Sequence, residues 1–385
     1  VGAGIRVVAN YTDGHGALES MASAATTTVT NVNDVPELSP MSPLVVGPLA
    51  GPVPSNDGIA IGDVNGDGYA DVVAEVYDSD KVAVYVSRGD GTFDAPALYS
   101  NGASNYLFVA VGDLNKDGKP DIADPSGSGL AILLNNGDGT FGAATTVPDV
   151  FPAGVAIGDL NGDGNADIAV ANQAISVLLG HGDGTFGVRQ DYATTYGPFS
   201  IEIADLNNDG NTDLIVSGYY ANTVSVMLGD GSGAFNSHTD YAALTGNPSA
   251  LAIADFNRDG LLDIVASDIH SNEIAVFVNQ GAGVFGTPTV VSTTTGGWNI
   301  GAADINGDGR LDLALPSSSG LNVMLGNGDG TFQNGTIYGQ SGYAASALTA
   351  DVNGDGVADV VFTSGAGLSV LLGQRSVSIA GSPVE

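Results

Sequence analysis

The pattern Asp–apolar–Asn–x–Asp–Gly–x–x–Asp recurs seven times, with its first aspartate at 63, 113, 159, 205, 255, 304 and 351. The steps are 50, 46, 46, 50, 49 and 47 residues. A period that regular makes the chain an array of like supersecondary units, each needing its neighbours to bury its apolar surface. A second landmark follows each of the first six motifs: RGDGTF, NGDGTF, HGDGTF, GDGSGAF, NQGAGVF and NGDGTF.

The third unit shows what one repeat contains. AGVAIGD reads as a strand, LNGDGNA as a tight acidic loop, DIAVAN and AISVLLG as two more strands, HGDGTF as a glycine hairpin and VRQDYAT as a fourth strand. The apolar runs are short, β-branched and bounded by Gly, Asn and Asp, and no helical period is sustained. Four antiparallel strands in a unit of this length match a propeller blade, and seven such blades close a ring that hides the sheet edges. The expected fold is all-β, a seven-bladed β-propeller of four-stranded antiparallel blades over residues 42–375, preceded by a short β-hairpin segment.

These motifs resemble the FG-GAP, or VCBS, repeat family, whose seven-bladed propeller is shared with the head of integrin α subunits. The resemblance implies that the acidic loop joins the first and second strands of each blade and holds Ca²⁺. Integrins carry that loop in only some blades. Here all seven are intact, which resembles microbial members more closely.

The loop chemistry points the same way. Position 1 is Asp63, Asp113, Asp159, Asp205, Asp255, Asp304 and Asp351. Position 3 is Asn65, Asn115, Asn161, Asn207, Asn257, Asn306 and Asn353, and position 5 is Asp67, Asp117, Asp163, Asp209, Asp259, Asp308 and Asp355. Position 9 is Asp71, Asp121, Asp167, Asp213, Asp263, Asp312 and Asp359. Calcium takes six to eight oxygens in loose geometry, which such a set can supply. Position 6 is always glycine, as a turn with positive φ requires. Position 7 is Tyr69, Lys119, Asn165, Asn211, Leu261, Arg310 or Val357, a variety that suits a main-chain carbonyl ligand. Position 12 is never Glu, so this is not an EF-hand loop. Mg²⁺ disfavours all-protein cages, and no His or Cys in the loops serves Zn²⁺. About seven structural Ca²⁺ ions are therefore expected, one per blade.

Charge narrows the partners. Forty-three acidic residues against nine basic ones give −34, so nucleic acid is repelled. The loops hold 21 of those acids, and seven divalent ions would bring the charge to −20. Cysteine is absent, and no apolar stretch approaches the ~20 residues of a membrane-spanning helix. Loops of modest affinity stay filled at extracellular calcium, so a secreted or cell-surface location, in a bacterium, is expected.

Alternating strands put the acidic loops and the GDGTF-type hairpins on one face of the ring. The opposite face varies between units and carries Tyr77, Tyr106, Phe151, Tyr196, Phe199, Tyr219, Tyr220, Trp298 and Tyr343, with Asp268, His270 and Glu273. These aromatics either wedge between blades or form a recognition surface for a glycan or protein. Trp298, Tyr219, Tyr220 and His270 are the candidate ligand residues, because their flanks are polar and Gly-rich. Adhesion or ligand recognition, with carbohydrate as one candidate ligand, is the leading function. The alternatives are a module of a secreted polysaccharide lyase or hydrolase, with His270 as its acid/base candidate, and a structural spacer. No catalytic residue is assigned. The tripeptide Arg88-Gly89-Asp90 occupies the hairpin slot that is NGDG or HGDG elsewhere, which argues for scaffold. NYT at Asn10 and NGT at Asn334 match the glycan-acceptor pattern, which carries no meaning in a bacterial source.

Residues 1–38 resemble the end of a cadherin-like or immunoglobulin-like repeat from large bacterial surface proteins, with NVNDVP (Asn31–Pro36) as its linker. The chain is expected to be a piece of something longer, working as a monomer or within a multidomain surface protein. The seventh unit lacks its hairpin, and residues around Leu44–Pro48 are expected to supply its outer strand.

Overall fold

The computed structural model describes residues 8–12, 18–22 and 58–374, apart from short breaks at 77–78, 103–107, 127–128, 149–152, 195, 295–296, 339–343 and 365–366. Val8–Thr12 and Leu18–Ala22 pair as an antiparallel hairpin, with Val8 opposite Ala22 and Thr12 opposite Leu18. They belong to a unit distinct from the propeller.

The propeller consists of seven antiparallel sheets in chain order, six of four strands and a last one of three among the described residues. In the third blade the strands are Gly154–Gly158, Asp167–Ala171, Ile175–Leu178 and Gln190–Tyr192, each inside the segment expected for it. Isolated bridges such as Gly180 to Phe186 and Gly229 to Phe235 close the six hairpins. The seventh blade shows Ala344–Ala350, Asp359–Ser364 and Gly367–Leu371. The Leu44–Pro48 strand expected to complete it lies outside the described residues.

Burial depends on a strand's place in its blade, greatest in the second and third strands. Second strands such as Asp213–Gly218 are buried throughout, whereas fourth strands such as Thr239–Ala242 are mostly exposed. The core is therefore divided into seven interfaces between adjacent blades. Val224 and Val226 of the fourth blade pack on Ile264 and Phe277 of the fifth. The same happens where the chain's last blade meets its first, Val361 and Val370 packing with Val72 and Tyr85. Each such side chain contributes about 1.5–3 kcal/mol on burial, so the ring is closed by an interface of the same kind as the other six.

Polar contacts reinforce that closure. The main-chain carbonyl at loop position 2 of one blade accepts a hydrogen bond from the hairpin of the next. Asn135 Nδ2 donates to Val64 at 2.8 Å, the Gly184 amide to Leu114 at 3.1 Å, and Asn279 Nδ2 to Leu206 at 2.8 Å. At the seam Ser87 Oγ of the first blade donates to Val352 of the seventh at 3.2 Å.

Candidate functional site

Each acidic loop is organised by its own side chains. In the first, Asp63 Oδ1 accepts the amides of Gly66 at 2.7 Å and Asp67 at 3.1 Å, while Oδ2 accepts Gly68 at 2.8 Å. Asn65 Oδ1 accepts the Asp67 amide at 2.8 Å, and Asp67 Oδ1 accepts that of Tyr69 at 2.9 Å. Position 6 has φ between +78° and +90° in all seven copies, as the glycine there implies. Position 4 is also left-handed in all seven, including Lys116, Asn208 and Arg258, where L side chains are disfavoured. Lys116 uses that conformation to reach the next blade's loop, donating to Asn165 Oδ1 at 3.2 Å.

The ninth-position aspartates serve a further purpose. Asp71 is fully buried and accepts the Val64 amide at 2.9 Å and the Ser87 amide at 2.7 Å, tying the acidic loop to the hairpin of the same blade. Asp213 does the same with Leu206 and Gly229, both at 2.9 Å. Burial raises the Asp71 carboxyl to about 6, against the pull of those two amides. By contrast the amides of Asn165 and Asn211 hold the exposed Asp163 and Asp209 below the usual carboxylate range. Thus position 1 places a half-buried carboxylate and position 5, in six of the seven loops, an exposed one in the acidic loop, while position 9 lies buried against the backbone. Among the described residues no three acidic or histidine side chains converge as a ready cation cage. The donor set that does fit calcium combines two carboxylates, an amide oxygen and a main-chain carbonyl, with position 9 at its inner wall.

The RGD tripeptide is scaffold. Arg88 is paired with Asp94 at 2.7 Å, and Asp90 Oδ1 accepts the Thr92 amide at 3.0 Å. Asp138 and Asp183 do the same for Thr140 and Thr185.

On the variable face the structure brings Trp298, Tyr219, Tyr220 and His270 into one cluster. Phe199 lies 5.1 Å from Tyr219 and 5.5 Å from Trp298, ring centre to ring centre. Tyr220 lies 5.0 Å from Tyr219 and 5.5 Å from Tyr196. Tyr219 Oη meets His270 Nε2 at 3.1 Å. Phe108, not among the sequence candidates, joins through Phe199 at 5.4 Å. Phe108, Phe199 and Trp298 come from the second, fourth and sixth blades, so they can only meet over the axis. Tyr196 and Tyr220 stand 78% and 65% exposed, which makes them surface rather than wedge. The backbone beneath is pinned: the Tyr219 amide donates to Gly197 at 2.8 Å, and the Trp298 amide to Ala345 at 2.7 Å. Gly197 has φ +73°, and a Cβ there would sit 2.5 Å from the Tyr220 ring, so glycine is what lets that ring lie flat. Asp268 spends its Oδ1 on the His270 and Ser271 amides at 2.7 and 3.1 Å. Those two bonds shape the turn that carries His270. Tyr77, Tyr106, Phe151 and Tyr343 lie outside the described residues.

Below the aromatic cluster, the first strands wall an axial cavity of about 270 Å³ that Phe108 also lines. Among the described residues Glu202 is the one ionisable group lining it, and burial raises that carboxyl to about 7 from an ordinary 4.5. The folded protein thus binds this proton more tightly than the unfolded chain. Stability is full below about pH 4.5 and falls as pH rises through about 7, by roughly 3 kcal/mol from this group. Glu202→Gln should therefore melt above the wild type at pH 8 and level with it at pH 4.5, as thermal unfolding at the two pH values would show.

Comparison with known proteins decides the family. Residues 63–124, 122–170, 159–216, 205–266, 255–315 and 304–362 each match the FG-GAP-like repeat. The chain belongs to the FG-GAP-like repeat family. Solved structures share the fold of this FG-GAP propeller. An Agrocybe aegerita lectin, solved for its specific recognition of non-reducing terminal N-acetylglucosamine, is 22% identical with a TM-score of 0.54, over 80% of this chain and 88% of that one. BBS1N in complex with ARL6DN is 12% identical with a TM-score of 0.61, over 87% and 96%. Virginiamycin B lyase from Staphylococcus aureus, crystallised with quinupristin, is 16% identical with a TM-score of 0.54, over 82% and 94%. At these identities the likeness is one of fold.

Proposed function

We propose that this FG-GAP propeller is an extracellular recognition module that binds carbohydrate on its variable face. The observation that carries the reading is the convergence of Tyr196, Tyr219, Tyr220 and Trp298 on one face, with two tyrosines exposed and His270 at the edge. Flat aromatic rings with polar rims suit the apolar faces and hydroxyl edges of sugars. The Agrocybe aegerita lectin supports the reading in one respect, since a propeller of this fold there recognises a terminal sugar.

Calcium serves stability in this account. Each ion would be held by positions 1, 3, 5, the carbonyl of 7 and position 9, which in the first blade are Asp63, Asn65, Asp67, Tyr69 and Asp71. The millimolar calcium outside cells keeps such loops filled, which favours a secreted or cell-surface setting. Phosphate-rich partners are disfavoured by the charge of −34.

A glycan array in 2 mM CaCl₂ tests the reading. Binding to a restricted set of glycans is expected, weakened at least tenfold by Tyr220→Ala and by Trp298→Ala, in line with the loss of a buried aromatic anchor. A blank array, or variants that bind as the wild type does, would contradict it. Turnover of an acidic polysaccharide that His270→Ala abolishes would move the assignment to an enzyme module.

A further inference from the structure

We propose that the axial cavity is a binding site for a small organic cation, its ammonium group against Glu202 and its hydrocarbon against the surrounding aliphatic wall. This site is separate from the glycan platform, and the two stand or fall independently.

The first observation is the departure from the repeat. Three residues before each motif, six units place Ala60, Ala110, Ala156, Ala252, Gly301 and Leu348, and the fourth blade alone places Glu202. The scaffold therefore has no need of a carboxylate there. The second is the surroundings. Ile59, Val109, Val155, Ile203 and Leu251 supply hydrocarbon, and Ser200 and Asn299 add the polar groups. No basic residue lines the cavity among the described residues, and no ion pair includes Glu202. Glu202 is half-buried against that hydrocarbon, and an ionised carboxylate in such a setting without a cation beside it is costly, so natural proteins pair or neutralise it. The third is the end wall: Phe108 lines the cavity and stacks edge-on to Phe199, which contacts Trp298. Aromatic faces attract cations when water is excluded.

The class of cation follows from the wall. A metal ion of the calcium type demands six or more oxygens, and one carboxylate among isoleucines and valines falls short. An alkyl- or arylammonium satisfies both the carboxylate and the hydrocarbon. Glu202 holds its proton near neutrality through burial, so a bound cation displaces that proton and binding strengthens as pH rises.

Isothermal titration of the full chain with methylammonium, benzylammonium, benzyl alcohol and KCl tests this, at pH 5.5 and pH 8.5. At least one of the two ammonium ions is expected to bind, at least tenfold tighter at pH 8.5, with benzyl alcohol and KCl silent. Glu202→Gln and Glu202→Ala, checked for the wild-type circular dichroism and a cooperative melt, should each weaken that binding at least tenfold. Silence from both ammonium ions would overturn the proposal. So would equal binding of benzyl alcohol, an equal response to KCl, or equal affinity in folded variants.

Discussion

Replacing 10 mM CaCl₂ with EGTA is expected to lower the melting temperature of this propeller by about 20 °C. At free calcium 10 to 100 times the dissociation constant, one site contributes about 1.4–2.7 kcal/mol, so seven contribute roughly 10 kcal/mol or more. At roughly 2 °C per kcal/mol for a chain of this size, the shift is large. The structure gives the loss a route through the whole ring. In the first blade the loop is tied to its own hairpin through Asp71 and to the next blade through the Val64 carbonyl, and the seventh blade's Val352 carbonyl makes the same tie across the seam. Loosening one loop therefore loosens two blades. Differential scanning calorimetry reads the effect. MgCl₂ should restore little of it, because Mg²⁺ gives up its waters reluctantly. A melt that moves by less than 2 °C would remove calcium from the account of stability.

Asp213→Ala is expected to cost about 4 kcal/mol even with calcium present. Asp213 is fully buried and is the acceptor for the Leu206 and Gly229 amides. Each amide left without an acceptor in the interior costs about 1–3 kcal/mol, and the lost side chain leaves space beside Leu206. Asp213→Asn keeps one carbonyl acceptor and should recover part of the loss. Urea denaturation of the three proteins checks the order wild type, Asn, Ala. Equal midpoints for wild type and Ala would mean that the two hydrogen bonds carry no weight.

The ring was legible in the sequence because its period is written in residues that have little choice. Glycine at position 6 sits at positive φ in all seven loops, and the alternation of buried strands with Gly- and Asp-rich turns fixed the four segments of each blade. The exposure of Tyr220 and His270 was also readable, since polar and Gly-rich flanks mark surface. The convergence of the aromatics was not. Phe108 and Trp298 stand far apart in the chain and approach a common ring, Phe199, only because the blades close around an axis. The second role of the ninth-position aspartates was hidden for a similar reason. Its partner Ser87 lies beyond another strand, and a motif scan sees only the loop. Two departures from the repeat were present as plain letters and carried more than they first suggest. Glu202 stands where other units have Ala, Gly or Leu. Asp124 stands where they have Ala, Val, Leu or Phe, is buried beside Glu75 and takes a 2.6 Å hydrogen bond from Asn101. In a repeat protein the scaffold is the consensus, and chemistry belongs to the exceptions.

The proposed division of this molecule into a metal-binding face and a recognition face rests on what the acidic loops hold. Crystals grown in CaCl₂, with diffraction recorded at a wavelength where calcium scatters anomalously, address it directly. The account predicts seven peaks, one in each loop between the carboxylates of positions 1 and 5, as between Asp63 and Asp67. Empty loops in such a map, or peaks on the aromatic face instead, would contradict it.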